Sequence, residues 1–374
     1  MNVIFTCGGT GGHINPAIAV ANILKERHPD ANILFIGAEG HMEERLVPQA
    51  GYALKTLPGS GLSRSLSVAG LKKNAKAIKC VLGAVSRCKK IIREFGADVI
   101  VGTGGYASFP ALYAGSRLGI PTIVHEANAV PGLTTKLAAN IATRVLVCFE
   151  ESRRYYKKPG EVEVVGMPVR KEFIETTRAE ARAELGLTDE KLVVSAFGSL
   201  GATAMNRAMA DLMVMEQEKG FPFHHVHATG NYGKEWMPAL VKEKGVDYEN
   251  CPTIDIRDYI YNMPTLLAAA DVVIGRSGSA TCNELAAAGA PCILIPSPNV
   301  TNDHQTKNAK VLADCGGAVL LPEGEATAQR IYEEIQNLLE PGRRDEMTRA
   351  LKALAKPDCA KRICDLIEEL SRKG

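Results

Sequence analysis

Short β-branched apolar runs alternate with helix-length segments along the whole chain. In the first half these runs fall at residues 2–6, 32–36, 98–101, 122–125 and 144–148. In the second half they fall at residues 191–197, 223–227, 271–275 and 292–296. Runs that are apolar throughout, and not at every second residue, mark strands buried on both faces, so the pattern predicts parallel sheets covered by helices. Each half opens in the same way, with a strand, a glycine turn and a helix: C-G-G-T-G-G-H at residues 7–13 and G-S-L-G-A at residues 198–202. The predicted fold is α/β, with two doubly wound, Rossmann-like parallel-sheet domains facing across a cleft and ligands held at the carboxyl ends of the strands. The polar stretch Y-Y-K-K-P-G at 155–160 and the connector G-M-P-V-R at 166–170 place the hinge near residue 166, which reads as domains 1–166 and 167–355. From Asp358 a last helix is expected, with Ile363, Leu366, Ile367 and Leu370 on one stripe.

Length agrees with two domains, since 374 residues exceed one comfortable core. A net charge of +2 selects no partner by itself, and no nucleic-acid partner is expected. The ten cysteines are scattered singly with no C-x-x-C pair, so neither a disulfide scaffold nor a metal or redox site is expected. Cys7, Cys148 and Cys292 sit in or beside apolar runs, where a cysteine behaves as a small hydrophobe. The chain begins directly on a strand-like run with no leader pattern, and no apolar stretch approaches the roughly 20 residues that span a bilayer. A location on the cytoplasmic side is therefore expected.

The candidate chemistry sits in the turns. In G-G-T-G-G-H-I-N-P (residues 8–16), glycines permit positive φ and close backbone approach, so the amides of Gly8, Gly9, Gly11 and Gly12 can converge on an anion at a helix start. Thr10 adds a hydroxyl, and His13 opens the helix as a candidate base. The spacing is not G-x-G-x-x-G and no acid closes the second strand, so a dinucleotide site is disfavoured. A second glycine turn, G-T-G-G-Y-A-S-F-P at 102–110, brings Gly104, Gly105 and Tyr106 to the same sheet edge. H-E-A-N-A-V-P-G-L-T at 125–134 adds Glu126 and Asn128 for a hydroxylated substrate. In the second half, G-R-S-G-S-A-T-C-N-E-L-A-A-A-G-A-P at 275–291 places Ser277, Ser279, Ala280 and Thr281 at a helix start suited to a diphosphate. Glu284 lies a turn further, where a carboxylate can accept both hydroxyls of a ribose or simply offset the helix dipole. Gln305, in N-D-H-Q-T-K-N-A at 302–309, is placed for sugar hydroxyls, with Asp303 a plain helix cap. No D-x-D pair is present, so helix N-termini, hydroxyls and Arg170 are expected to stabilise a leaving diphosphate without metal or cofactor.

Between residues 64 and 94, nine Lys or Arg stand against one acid, with Leu66, Val68, Leu71, Ile78, Val81, Leu82 and Val85 interleaved. Such a basic amphipathic stretch suits an anionic membrane surface, and the competing account is a solvated helix whose apolar side is core.

Taken in order, G-G-T-G-G-H-x-x-P, G-G-Y-A-S-x-P, H-E-x-N-A-V-P-G-L, G-x-P-V-R, R-S-G-x-x-T-x-x-E-x-A-A-A-G and D-H-Q-x-x-N-A closely resemble the MurG family within glycosyltransferase family 28. The matches run from Gly8 to Ala309. The resemblance implies the GT-B fold and transfer, with inversion, of N-acetylglucosamine from UDP-N-acetylglucosamine to the 4-hydroxyl of a muramoyl-pentapeptide on undecaprenyl diphosphate (lipid I), giving lipid II for peptidoglycan. It implies donor contacts at Thr10, Gly11, Gly12, Asn128, Arg170, Ser199, Ile260, Ser279, Ala280, Thr281, Glu284 and Gln305. It further implies acceptor-diphosphate contacts at Gly8, Gly9, Gly104, Gly105 and Tyr106. A last helix (356–374) packed on the N-terminal domain, a peripheral place on the cell membrane and other cell-wall synthesis proteins as partners also follow from the resemblance. Five positions depart from the family pattern: Ala127, Thr135, Met167, Phe197 and Leu200. Leu200 replaces a polar residue near the donor, which puts unaltered donor preference in question.

The expected reaction is one in-line displacement with His13 as base and Glu126 as second candidate. Two rivals are another enzyme on this fold, such as a glycolipid synthase or UDP-sugar 2-epimerase, and a non-catalytic nucleotide-sugar-binding subunit.

Overall fold

The computed structural model describes the backbone of residues 1–58, 68–158 and 161–372, with side chains described outside residues 68–79. The basic stretch at 64–94 therefore lies partly outside the described residues. The chain divides into two compact units, one of residues 1–169 with 356–374 and the other of residues 170–355.

The first unit runs β1 (Asn2–Thr6), α1 (Gly11–Arg27), β2 (Asn32–Ala38), α2 (Glu43–Gln49), β3 (Ala53–Leu57), α3 (Val68–Phe95), β4 (Val99–Gly102), α4 (Ser108–Arg117), β5 (Thr122–Glu126), α5 (Leu133–Ala139), β6 (Arg144–Val147) and β7 (Val162–Val164). Its seven strands are all parallel in the order β3-β2-β1-β4-β5-β6-β7. β1 shows why the run had to be apolar throughout. Val3 and Phe5 enter the core under α1, while Ile4 enters the opposite core under α3 and α4. Because a strand alternates its side chains, a sheet covered on both faces favours apolar residues at every position.

The second unit runs α6 (Glu172–Glu175), α7 (Arg178–Glu184), β8 (Leu192–Ala196), α8 (Thr203–Glu218), β9 (His224–Ala228), α9 (Trp236–Glu243), β10 (Ile254–Arg257), α10 (Met263–Ala269), β11 (Val272–Gly275), α11 (Ser279–Ala288), β12 (Cys292–Leu294), α12 (His304–Asp314), β13 (Ala318–Leu320), α13 (Ala328–Leu339) and α14 (Arg343–Leu354). Its six parallel strands take the order β10-β9-β8-β11-β12-β13. In each sheet the direction of winding reverses beside the first strand, between β1 and β4 and between β8 and β11. The turns that follow those strands are the ones the sequence marks with glycine, and a reversal of strand order opens a crevice for ligands there.

The last helix, α15 (Cys359–Ser371), belongs to the first unit. It buries Ile363, Leu366, Ile367 and Leu370 in the core that holds α1 and one face of β1. Burial of four such side chains stabilises this seam by about 6–12 kcal/mol, an upper figure because the unfolded chain already covers part of them. Arg27 of α1 reaches Asp365 at 2.6 Å and Glu368 at 3.1 Å, and the Cys364 thiol donates to the Val20 carbonyl at 3.6 Å.

Candidate functional site

In the first unit, the turns after β1 and β4 pack against each other, with backbone against backbone at their closest approach. Gly105 has φ +86°, and a Cβ there would lie 2.3 Å from the Gly8 carbonyl oxygen. Gly104, with φ +109°, leaves room for the His13 ring, since its Cβ would stand 2.7 Å from Nδ1. The Ser108 hydroxyl pins the second turn from behind, sitting 2.6 Å from the Gly104 carbonyl and 3.0 Å from the Thr6 carbonyl.

His13 lies in the first turn of α1, and its Nδ1 is 3.0 Å from the Thr103 carbonyl oxygen. A carbonyl only accepts, so Nδ1 carries the proton and, in the neutral ring, Nε2 is the basic atom. The Thr103 hydroxyl donates back to the His13 carbonyl at 2.6 Å, which ties the ring's helix to the second turn. At the start of α1, Thr10 caps without a side-chain bond and the first turn holds no acid. The amides of Gly11 and Gly12 have no partner among the described residues and remain for an anion. The Tyr106 phenol reaches the Cys80 sulfur at 3.5 Å.

Two expected site residues are already engaged. The Gly9 amide, expected at the diphosphate, donates to the Glu43 carboxylate at 3.2 Å, so its single donor is engaged. Glu126, the second candidate base, is buried, and its Oε1 accepts from the Asn128 amide (2.9 Å) and Asn128 Nδ2 (3.1 Å). Its Oε2 accepts from the Gly132 amide at 3.0 Å. Both oxygens of Glu126 are thus engaged in closing residues 127–132, and a base role would require it to surrender those bonds. Neighbouring His125 is buried with Nε2 2.7 Å from the Gly166 carbonyl. Burial pushes its pKa down, with the Gly166 bond and the Glu126 charge opposing. Burial, and then the Glu43 charge, push the Cys7 thiol up to about 12, which leaves it unreactive.

In the second unit, the turn after β8 locks to the turn after β9. A Cβ on Gly201 would meet the Thr229 carbonyl at 2.1 Å, and the Ser199 carbonyl accepts from the Asn231 amide at 3.1 Å. Ser199 itself is exposed, and so is the apolar Leu200 beside it, at 52%. Phe197 is buried between the His227 ring (6.3 Å) and the Arg276 guanidinium (5.9 Å), so this departure from the family pattern is a packing residue. Ala127, Thr135 and Met167 are likewise buried. Arg276, which the sequence reading passed over, ties the β11 turn to the Ile295 carbonyl at 3.0 Å and to Glu323.

Helix α11 starts at the Gly278 cap with no acid in its first turn. The amides of Ala280 and Thr281 have no partner among the described residues, and the buried Ser277 hydroxyl has none either. One turn on, burial pushes the Glu284 carboxyl above its usual range, and the Arg170 charge opposes that shift. No hydrogen bond to the Glu284 carboxylate is present among the described residues. Arg170 rests over the Phe173 ring at 5.0 Å. Gln305 accepts from the Ser297 amide at 2.8 Å through Oε1, which directs its Nε2 to act as donor. Ile260 buries its side chain, so only its backbone can touch a ligand. Asp303 caps α12 in the left-handed region and makes no side-chain cap bond.

The expected donor residues thus divide between the units, with Thr10, Gly11, Gly12 and Asn128 in the first and the rest in the second. Among the described residues, no group of three or more His, Cys, Asp or Glu could hold a metal ion.

Residues 3–147 match the glycosyltransferase family 28 N-terminal domain and residues 192–363 match the family 28 C-terminal domain. The chain is 41% identical, over 99% of both chains, to a UDP-N-acetylglucosamine–N-acetylmuramyl-(pentapeptide) pyrophosphoryl-undecaprenol N-acetylglucosamine transferase of Exiguobacterium sp.. It is 39% identical to the protein of that name in Lactococcus lactis, over the full length of both. Among solved structures, Acinetobacter baumannii MurG superposes with a TM-score of 0.78 at 26% identity, covering 98% of this chain and 99% of that one. The UDP-GlcNAc 2-epimerase of Neisseria meningitidis shares the fold, with a TM-score of 0.67 at 13% identity, covering 99% of this chain and 100% of that one.

Proposed function

The chain belongs to glycosyltransferase family 28, and from that premise we propose that it moves N-acetylglucosamine from UDP-N-acetylglucosamine to the muramoyl 4-hydroxyl of the undecaprenyl-diphosphate-linked pentapeptide. The observation that carries a transfer reaction, and not binding alone, is the histidine at the mouth of the paired glycine turns. Its Nδ1–H is committed to the Thr103 carbonyl, so Nε2 is set to take a proton.

The step is a single displacement. The acceptor oxygen attacks the anomeric carbon as His13 Nε2 takes its proton, and the bond from that carbon to the UDP oxygen breaks. The imidazolium that forms keeps its Nδ1–H bond to the Thr103 carbonyl, whose dipole stabilises the new charge. On the donor side, the start of α11 with Ser277 and Thr281 receives the leaving diphosphate, and Arg170 offsets its charge. Glu284 accepts the ribose hydroxyls, and Gln305 Nε2 donates to the sugar. The start of α1, through the Gly11 and Gly12 amides, receives the acceptor's diphosphate. This assigns to the acceptor two amides that the family resemblance gives to the donor.

The test is release of UDP from UDP-N-acetylglucosamine with and without a lipid I analogue, in detergent and EDTA. Acceptor-dependent release in EDTA is expected. Tight donor binding without release would move the protein to a binding subunit, and acceptor-independent release to an epimerase.

The acceptor places the reaction at a membrane, and no helix among the described residues is long and apolar enough to cross one. Attachment is assigned to the surface shared by α3, α4 and α5, which pack side by side. Leu82 on α3 and Leu133 and Leu137 on α5 are 65%, 61% and 46% exposed, with Lys136, Lys89 and Lys90 on the same two helices. Exposed leucines carried with cations on these helices fit an anionic bilayer surface. Leu82→Asp with Leu133→Asp should weaken sedimentation with anionic vesicles by about tenfold or more. Unchanged sedimentation would move attachment elsewhere.

A further inference from the structure

Glu43 is the one fully buried carboxylate of the first unit among the described residues that neither the sequence motifs nor the reaction uses. It opens α2, a position where an acid ordinarily faces solvent and offsets the helix dipole. Here the side chain turns inward beneath the first glycine turn. Oε1 accepts the Ala38 amide at 2.8 Å and Oε2 accepts the Gly9 amide at 3.2 Å. Two glycines clear its path. A Cβ on Gly37 would stand 2.5 Å from Glu43 Cγ, and one on Gly8 would stand 2.8 Å from Oε1. No cation pairs with it among the described residues. A carboxylate held this way is costly, and it lies behind the turn that leads into the start of α1, to which the acceptor's diphosphate is assigned, where its charge opposes binding.

What the carboxylate accomplishes is geometric. By taking the Gly9 N–H it sets the plane of the Gly8–Gly9 peptide. The Gly8 carbonyl is the surface against which Gly105 packs, and Gly104, the next residue, is the wall behind the His13 ring. The contacts therefore run unbroken from Glu43 through Gly9 and Gly8 to Gly105, Gly104 and the imidazole. We propose that Glu43 is a positioning residue for the transfer step, acting through the paired glycine turns to set where His13 stands. This rests on the assignment of His13 as base.

Glu43→Gln tests it, because two amide donors require two acceptors and a carboxamide supplies one while turning its NH₂ toward the other. Turnover should fall tenfold or more, while the donor KM, to which Arg170, Glu284 and Gln305 of the second unit contribute unchanged, stays within about twofold. Gly37→Ala, which presses on the Glu43 stem and alters no atom of either turn, should give the same pattern. The deciding measurement is the cycle with His13→Ala. If Glu43 acts through His13, the double variant is no slower than His13→Ala alone, whereas a merely structural defect multiplies with it. Multiplying losses, or wild-type turnover in both folded single variants, would overturn the proposal. Should Glu43→Gln fail to fold, Gly37→Ala and its own cycle with His13→Ala decide by the same criteria. If His13→Ala itself retains full turnover, the base assignment has failed, and this proposal falls with it.

Discussion

His13→Ala should lower kcat by about 10²–10⁴-fold, which corresponds to roughly 3–5 kcal/mol of transition-state stabilisation. The donor KM should move by no more than a few fold, because Arg170, Glu284, Gln305 and the start of α11 belong to the other compact unit and lose nothing. The split between kcat and KM is the informative part. A group that acts only as the proton moves is missing from the ground-state complex, so its loss spares binding. Steady-state kinetics with a soluble lipid I analogue would check this, and kcat within fivefold of wild type would remove His13 from the base role. Glu126→Gln offers a contrast. A carboxamide cannot accept from the Asn128 and Gly132 amides at once, so the variant should loosen residues 127–132, and the loss should follow thermal stability as well as turnover.

The second large effect is expected at Glu284, with opposite signs for binding and for stability. Two hydroxyls donating to a carboxylate are worth about 1.5–3 kcal/mol each, so Glu284→Ala should raise the donor Kd by roughly 10–100-fold after the cost of ordering the ribose. Burial holds the Glu284 carboxyl above its ordinary range. A carboxyl raised on folding contributes stability that is complete below its unfolded pKa and is lost as pH rises through the folded value. Above that unfolded value the ligand-free protein is therefore less stable for burying this carboxyl, because burial disfavours its charged form. Glu284→Gln should raise the melting temperature of the ligand-free protein at pH 7 while weakening the donor. The donor affinity of the wild type should fall with acidification at a higher pH than an ordinary carboxylate would set, and Glu284→Gln should lose that acid limb. Calorimetric titration with UDP-N-acetylglucosamine between pH 5 and 8, beside thermal melts, reads both. A variant that binds as wild type and melts no higher would remove the carboxylate from the site.

What could be read from the sequence divides along a physical line. The interior strands of both sheets are mostly apolar because each is buried on two faces, and all were legible, although β9 (H-H-V-H-A) buries His225 and His227. The strands that went unread are the edges of the two sheets: β3 (A-L-K-T-L), β7 (V-E-V), β10 (I-D-I-R) and β13 (A-V-L). An edge strand has one neighbour and part of it faces water, so Lys55, Glu163, Asp255 and Arg257 interrupt its apolar pattern, and at three to five residues it resembles a loop. The glycine turns were legible because turn, helix start and candidate base follow one another within a few residues. Glu43 was not, because nothing local distinguishes an acid that opens a short helix from one folded under a turn 34 residues earlier. The same distance hid the task of Arg276, whose partner Glu323 lies 47 residues on. Glu126 was found, but the amides of Asn128 and Gly132 that occupy its two oxygens could not be read from the motif.

The place of α15 has a consequence for how the chain is made. Residues 170–355 are contiguous and can condense as they leave the ribosome, but the core under α1 is incomplete until residues 359–371 have been translated. At about 5–20 residues per second, the roughly 200 residues that follow Val169 take about 10–40 s, during which Val20, Ala21 and Leu24 of α1 lack their covering helix. The first unit to be synthesised is thus the last to close, and its nascent apolar seam is a natural client for a holding chaperone.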